Sequence, residues 1–314
     1  MKLEAFKALP HAITLLGMSG VGKTVFSSAL RCSAGWYHYS ADYRIGTRYL
    51  AEHILDNIKF KIMTMGDPFV ADLLRSDSIY FNHNISVDNL EPVSTFLGMY
   101  GDASSGGLDK ATFMERQDLY RLAEIESMKD VSRFIEKAWH IYGCDCFVND
   151  ASGSLCEIVD PSDPTDPVIS ALRAETLILY IQPDASYEEA LKERARAHPK
   201  PLFYNPAFIE PRLAAQPDNG VGVDPMEFAK PLFPELLAFR KPRYQQIATD
   251  FGFTIEARSL FDAAGGKGTV PGADGFVEKL YALATEQAKH SEVAAGNLAS
   301  YIQSCEKRRS DRAG

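Results

Sequence analysis

The chain has 314 residues, of which 46% are hydrophobic and 24% charged, with a formal net charge of −9. That length allows about one to two domains with a full core, and the composition excludes a disordered or fibrous chain. A pI of 5.3 argues against broad nucleic-acid binding, because displacing counterions from phosphates takes a basic surface.

No apolar run approaches the roughly 18 residues that span a bilayer. The stretch Met1–Gly20 lacks the charged, apolar and small-residue succession of a signal peptide. The expectation is a cytoplasmic chain without a membrane partner. Five cysteines (Cys32, Cys144, Cys146, Cys156 and Cys305) read as small buried hydrophobes rather than as a disulfide framework or a zinc site.

In chain order, Ile13–Leu16 is a buried strand by its length and apolar content. Gly17–Gly22 is a loop, Lys23–Arg31 begins a helix, Trp36–Tyr39 is an aromatic second strand, and a helix runs from Asp42 through His53. Strand, loop, helix and strand in succession predict a parallel sheet with helices on both faces. From about Lys59 the alternation breaks at Gly66-Asp67-Pro68, Asn82-His83-Asn84 and Ser104-Ser105-Gly106-Gly107, which reads as an insertion. One long helix is expected from Lys110 to Tyr142, with Ile125, Met128, Val131, Ile135, Ala138, Trp139 and Tyr142 on its apolar stripe and Gly143 as its stop.

Cys146–Asn149 is a further strand ending at Asp150, and Asp160–Pro167 is a loop by proline content. Glu175–Gln182 is the next strand and Ala185–Ala197 a charged helix. His198–Pro217 is punctuated by prolines, Phe239–Phe251 is helical, and Phe253–Ala257 is the last strand. A loop follows over Gly265–Gly275, then one or two helices from Phe276 to about Arg308. The expected organisation is a nucleotide-binding core over 1–58 and 143–290, an inserted, largely helical substrate or partner subdomain over 59–142, and a C-terminal helix and tail over 291–314.

Gly17-Met-Ser-Gly-Val-Gly22-Lys23-Thr24 fits the pattern G-x-x-x-x-G-K-[ST] without deviation. Glycines let the backbone turn its N–H groups onto phosphates, and the following helix points its positive N-terminus at the anion. Lys23 reaches the β- and γ-phosphates, and Thr24 offers its hydroxyl to Mg²⁺. The predicted contact set is Gly17, Ser19, Gly20, Val21, Gly22, Lys23, Thr24 and Val25, with ATP and Mg²⁺ as cofactors. N-K-x-D, which would read guanine, does not occur. Asp150 is the candidate second metal-holding and catalytic acid, the other reading being a strand-end aspartate that starts a turn.

The order of further features resembles the small-molecule P-loop kinases, above all shikimate kinase and gluconate kinase. The resemblance covers about half of the chain in pieces; the phosphate loop is its strongest part. It implies an α/β P-loop NTPase fold of three layers. Asp42, in Tyr37-His-Tyr-Ser-Ala-Asp42, matches the acceptor-side carboxylate that takes the hydroxyl proton; the other reading is a helix cap. Ser40 stands where shikimate kinases carry a second aspartate. Gly153, in Asp150-Ala-Ser-Gly-Ser, matches a substrate-touching glycine. Arg194, Arg196 and Lys200 match the cations of a mobile lid, or else form a solvated helix face paired with Glu188, Glu189 and Glu193. Arg240, in Arg240-Lys-Pro-Arg243-Tyr244, matches an arginine that grips a substrate carboxylate, and Arg243 is a second contact or a surface residue. The insertion replaces short substrate-binding helices, so shikimate itself is not the expected acceptor. Arg116 and Arg121 line a larger pocket or face solvent.

Two functions follow from these residues. The first is an ATP-dependent phosphotransferase acting on a small, hydroxylated, anionic acceptor. The alternative is a P-loop ATPase that works as a nucleotide-dependent switch, with a protein partner on residues 59–142.

Overall fold

The computed structural model describes residues 1–32, 35–216, 218–260 and 272–313. Five strands form one parallel sheet: β1 (Ala12–Leu16), β2 (Trp36–Ser40), β3 (Cys146–Asp150), β4 (Leu177–Gln182) and β5 (Gly252–Glu256), in the order β2-β3-β1-β4-β5. All strands run the same way, so their carboxyl ends share one edge, where parallel α/β sheets hold ligands. The register sets Leu15 of β1 opposite Asp150 of β3, and Asp150 opposite Ser40 of β2.

Every residue of β1 is buried, as befits a central strand covered on both faces. One face packs Ile13, Leu15 and Val148 against Phe26 and Leu30 of the helix Lys23–Arg31 and against Phe276 and Leu280 of the helix Ala273–His290. Each such side chain contributes about 1.5–3 kcal/mol on full burial. Here the helical spacing of apolar residues becomes the layer that fixes where the phosphate loop begins.

The expected helix Lys110–Tyr142 is two helices, Lys110–Lys129 and Val131–Tyr142, interrupted at Asp130. Gly143 then stops the second in the left-handed region, at φ 65°. The proline-punctuated stretch His198–Pro217 holds the helix Pro206–Ala214, with Asn205 capping Ala207 N at 2.9 Å and proline at the first position, where no N–H is needed. The helix expected over Phe239–Phe251 begins at Leu232 and carries Pro242 inside it. The expected loop over Gly265–Gly275 lies outside the described residues as far as residue 271, and the chain is helical again from Ala273. Two helices close the chain, Ala273–His290 and Glu292–Ala313.

Contacts divide the chain into two compact units. The first comprises 1–41, 128–198 and 232–314 and contains the whole sheet; the second comprises 42–127 and 199–231. The division thus opens at Asp42, well before Lys59, and draws in a second stretch of chain. Hydrogen bonds explain the recruitment of 199–231: Asp102 N donates to Val223 O at 2.8 Å, Gly222 N to the Asp102 carboxylate at 2.6 Å, and Tyr204 N to Gln117 Oε1 at 2.9 Å. The second unit is built mainly of helices, including Ala51–Thr64, Pro68–Arg75 and Lys110–Lys129.

Candidate functional site

β1 delivers the chain to the carboxyl edge at Leu16, and the loop Gly17–Gly22 turns it into the helix Lys23–Arg31. Gly20 (φ 84°) and Gly22 (φ 100°) occupy the left-handed region, which a side chain would strain. Val21 between them is fully buried and pins the loop to the core. Lys23 is 6% exposed, and its ammonium donates to Gly17 O at 2.7 Å and Met18 O at 3.3 Å, so the cation lies folded into the mouth of the loop. Ser19, Gly20, Thr24 and Val25 are exposed. A strand, a glycine turn, an enclosed ammonium and an exposed threonine at a helix N-terminus make an anion cradle.

The loop after β3 abuts this cradle. A Cβ on Gly153 would stand 2.8 Å from Ser19 N, so only glycine permits the approach. The Tyr244 hydroxyl donates to Gly153 O, and its oxygen is 3.9 Å from the Met18 sulfur. Arg240, 1% exposed, pairs with Glu157 at 2.5 Å and reaches the Met18 sulfur at 3.6 Å. The guanidinium that the kinase resemblance assigns to a substrate carboxylate is therefore committed to a carboxylate of the chain itself. Burial pulls the Arg240 pKa down, but the Glu157 carboxylate, with Tyr244 and Cys156 adding to it, makes the net shift upward. Burial raises the Tyr244 hydroxyl and pushes the neighbouring Cys156 thiol up to about 12. Arg243 likewise turns inward, donating to Cys156 O at 2.7 Å and Val159 O at 3.0 Å.

Asp150 closes β3 with 6% exposure, and its Oδ2 lies 3.5 Å from Nε2 of His38 on β2. The helix Ala185–Ala197 also meets the loop: Tyr187 Oη donates to Val21 O at 3.4 Å and Arg194 Nη2 to Gly20 O at 3.4 Å. Arg196 is exposed on the same helix. Of the carboxylates that a solvated face would use, Glu189 pairs with Lys192 and Glu188 with Lys241. The first unit thus brings together Gly17–Val25, Gly153, Arg194 and, beneath them, Arg240.

Asp42, Arg116, Arg121 and Lys200 belong to the second unit. Asp42 accepts a hydrogen bond from Tyr120 Oη at 3.1 Å. Arg116 is buried, donating to Phe96 O and to Asn57 Oδ1 at 3.0 Å. Arg121 is half-buried and pairs with Asp118 at 3.5 Å, and Lys200 is exposed.

Three residues of this site escape a reading of the sequence: His38, Glu157 and Tyr244. Tyr244 left a signal by standing in the segment Arg240–Tyr244, and His38 a fainter one, since strand alternation puts it on the same side of β2 as Ser40. Thr24 and Asp150 supply a hydroxyl and a carboxylate, hard oxygen donors that suit Mg²⁺ bound chiefly through nucleotide phosphates. Among the described residues no cluster of three His, Cys, Asp or Glu side chains forms a self-sufficient metal site.

Comparison with known families finds no match, and neither does comparison with curated proteins. Among solved structures, the chain is similar to a shikimate kinase from Acinetobacter baumannii in complex with shikimate. The identity is 14% and the TM-score 0.38, over 91% of this chain and 98% of that one. A likeness at that level carries no argument about activity.

Proposed function

We propose that this chain binds MgATP at Gly17–Thr24 and transfers the γ-phosphoryl group to a small hydroxylated acceptor. The observation that carries the reading is the cradle itself: left-handed glycines, the Lys23 ammonium held 2.7 Å from Gly17 O, and an exposed Thr24 at the start of a helix. In this reading the loop N–H groups bind the phosphates, Lys23 neutralises the β- and γ-oxygens, and Thr24 with Asp150 holds the metal. When bound, Mg²⁺ supplies charge neutralisation on the phosphate oxygens. Arg194 adds positive charge as the transferring group spreads its charge over three oxygens. The acceptor oxygen forms a bond to the γ-phosphorus, the bond from that phosphorus to the bridging oxygen breaks, ADP leaves with the electron pair, and the hydroxyl proton passes to Asp42.

The test is ADP release from MgATP, with and without pools of small hydroxylated metabolites. Acceptor-dependent release is expected. Lys23→Ala should cut turnover by about 100-fold or more, the scale of one lost transition-state contact. Asp42→Asn should abolish transfer and leave ATP affinity unchanged. Unaltered turnover in Lys23→Ala sinks the reading.

One observation favours the switch reading instead. Phe60, Met65, Phe69 and Tyr80 of the second unit are large apolar side chains at 65–88% exposure, the kind of surface that a protein partner covers. Slow hydrolysis, indifferent to every metabolite pool and altered by a protein, would decide for it.

A further inference from the structure

β2 reads Trp36-Tyr-His38-Tyr-Ser40, and the ring of His38 is buried, its side chain 1% exposed. Neither of its ring nitrogens has a hydrogen-bond partner among the described residues. A neutral imidazole has one donor and one acceptor to satisfy, and leaving such groups dry is unfavourable. An orphaned ring is therefore informative when it sits beside chemistry.

It does so here. His38 pairs in register with Val148, and registered residues of parallel strands share a face; Asp150, two residues on, lies on that face as well. This is the face covered by the phosphate-loop helix Lys23–Arg31, through Phe26 and Leu30 against Val148. In the same buried layer Ser27, one turn into that helix, also has a side-chain oxygen without a partner among the described residues. The Asp150 carboxylate stands beside the ring, its Oδ2 3.5 Å from Nε2, a few tenths of an ångström beyond a good hydrogen bond.

We propose that His38 is a positioning residue for the metal-holding carboxylate: its Nε2–H donates to Asp150 Oδ2 when the nucleotide site is filled, and the other carboxylate oxygen is thereby aimed at the cation. Carboxylates that ligate a metal are themselves held by hydrogen bonds from outside the coordination sphere, and here an imidazole is placed to supply one. Proton and charge stay where they are. The hydrogen bond acts only by removing the carboxylate's freedom to rotate. The inference rests on the MgATP reading above and adds to it a residue that touches neither nucleotide nor metal.

Mn²⁺ is the probe, titrated by electron paramagnetic resonance in the presence of a non-hydrolysable ATP analogue, with the full chain and no turnover. His38→Leu keeps an apolar volume and removes the donor; His38→Gln keeps an N–H donor. The Mn²⁺ dissociation constant should rise about 10-fold or more in His38→Leu and stay within about 3-fold of wild type in His38→Gln. Affinity for the analogue without divalent ion should be the same in all three. Urea unfolding checks that each variant is folded, and His38→Met, also without a donor, replaces His38→Leu if that variant unfolds. Wild-type Mn²⁺ affinity in the donor-free variant overturns the inference and leaves the MgATP reading standing. Equal weakening in His38→Gln and His38→Leu also overturns it, because packing alone then explains the effect. Failure of the wild-type chain to bind Mn²⁺ with the analogue overturns both.

Discussion

At the carboxyl end of β1, beneath the phosphate loop, the first unit buries charge: Arg240 against Glu157, with Tyr244 fastening Gly153 and the Met18 sulfur in contact with both. At the amino end of the same strand it buries a neutral ring. His11 Nε2 donates to Phe6 O at 3.0 Å, and Nδ1 accepts from Tyr301 Oη at 2.8 Å, tying the start of the chain to its last helix. Burial lowers the His11 pKa to about 4 against the opposing pull of the Phe6 carbonyl, with Arg308 lowering it further. Arg308 meanwhile donates to the carbonyls of Pro10 and Glu175, at 3.2 and 2.8 Å. The charged cluster sets the shape of loops; the neutral one holds ends together. A buried ion pair adds little stability over apolar packing but fails badly when halved, whereas a neutral hydrogen-bonded ring adds stability until it is asked to take a proton.

The charged cluster is most vulnerable at Glu157. Glu157→Ala leaves Arg240 buried and uncompensated and should lower stability by about 3–5 kcal/mol in urea unfolding. Replacing both partners, as Glu157→Leu with Arg240→Met, should recover most of that loss while nucleotide binding stays impaired, because the Met18 contact is gone. Full recovery of binding would mean that the pair shapes no loop.

Acid sharpens the other end. The unfolded His11 titrates near the ordinary 6.5 and the folded ring near about 4, so between those values the unfolded chain binds more protons and stability falls as pH falls. The loss should reach about 3 kcal/mol by pH 4, and the slope between pH 6.5 and 4 should flatten in His11→Asn. An unchanged slope in that variant would remove His11 as the cause.

Tyr301→Phe is milder. It strips the donor from a buried Nδ1 and should lower stability by about 1–2 kcal/mol, again by urea unfolding. Arg194→Ala should be the smallest in stability, within about 0.5 kcal/mol, since its side chain is exposed. Its effect belongs on nucleotide turnover. A stability loss larger than that would make Arg194 a packing residue of the loop.

What the sequence revealed follows the range of the forces involved. The glycine turn Gly17–Gly22, β1 and the helix Ala185–Ala197 were legible because glycine geometry, apolar runs and helix caps act over a few residues. The commitment of Arg240 was not, since Glu157 stands 83 positions away in the chain. The helix Pro206–Ala214 was hidden by its prolines, one of which serves as its first residue. The break at Asp130 had no glycine or proline to announce it, and the apolar stripe ran on across it. His38 was hidden between two tyrosines whose aromatic character set the reading of the whole strand.

The turn at Ile45–Tyr49 is wider than an α-helical one: Leu50 N donates to Ile45 O, five residues back, at 2.8 Å, before Ile54 N returns to Leu50 O, four back. The buried row Ile45, Leu50 and Ile54 follows that rhythm, stepping by five and then by four. An ordinary helix advances about 100° per residue, so the surplus residue acts as a phase shift between Asp42 and everything beyond Leu50. A relative lacking the wide turn should be one residue shorter between these positions and keep its apolar row in steps of four. A one-residue gap there would mark the point at which the helix beyond Leu50 turned a different face to its own neighbours.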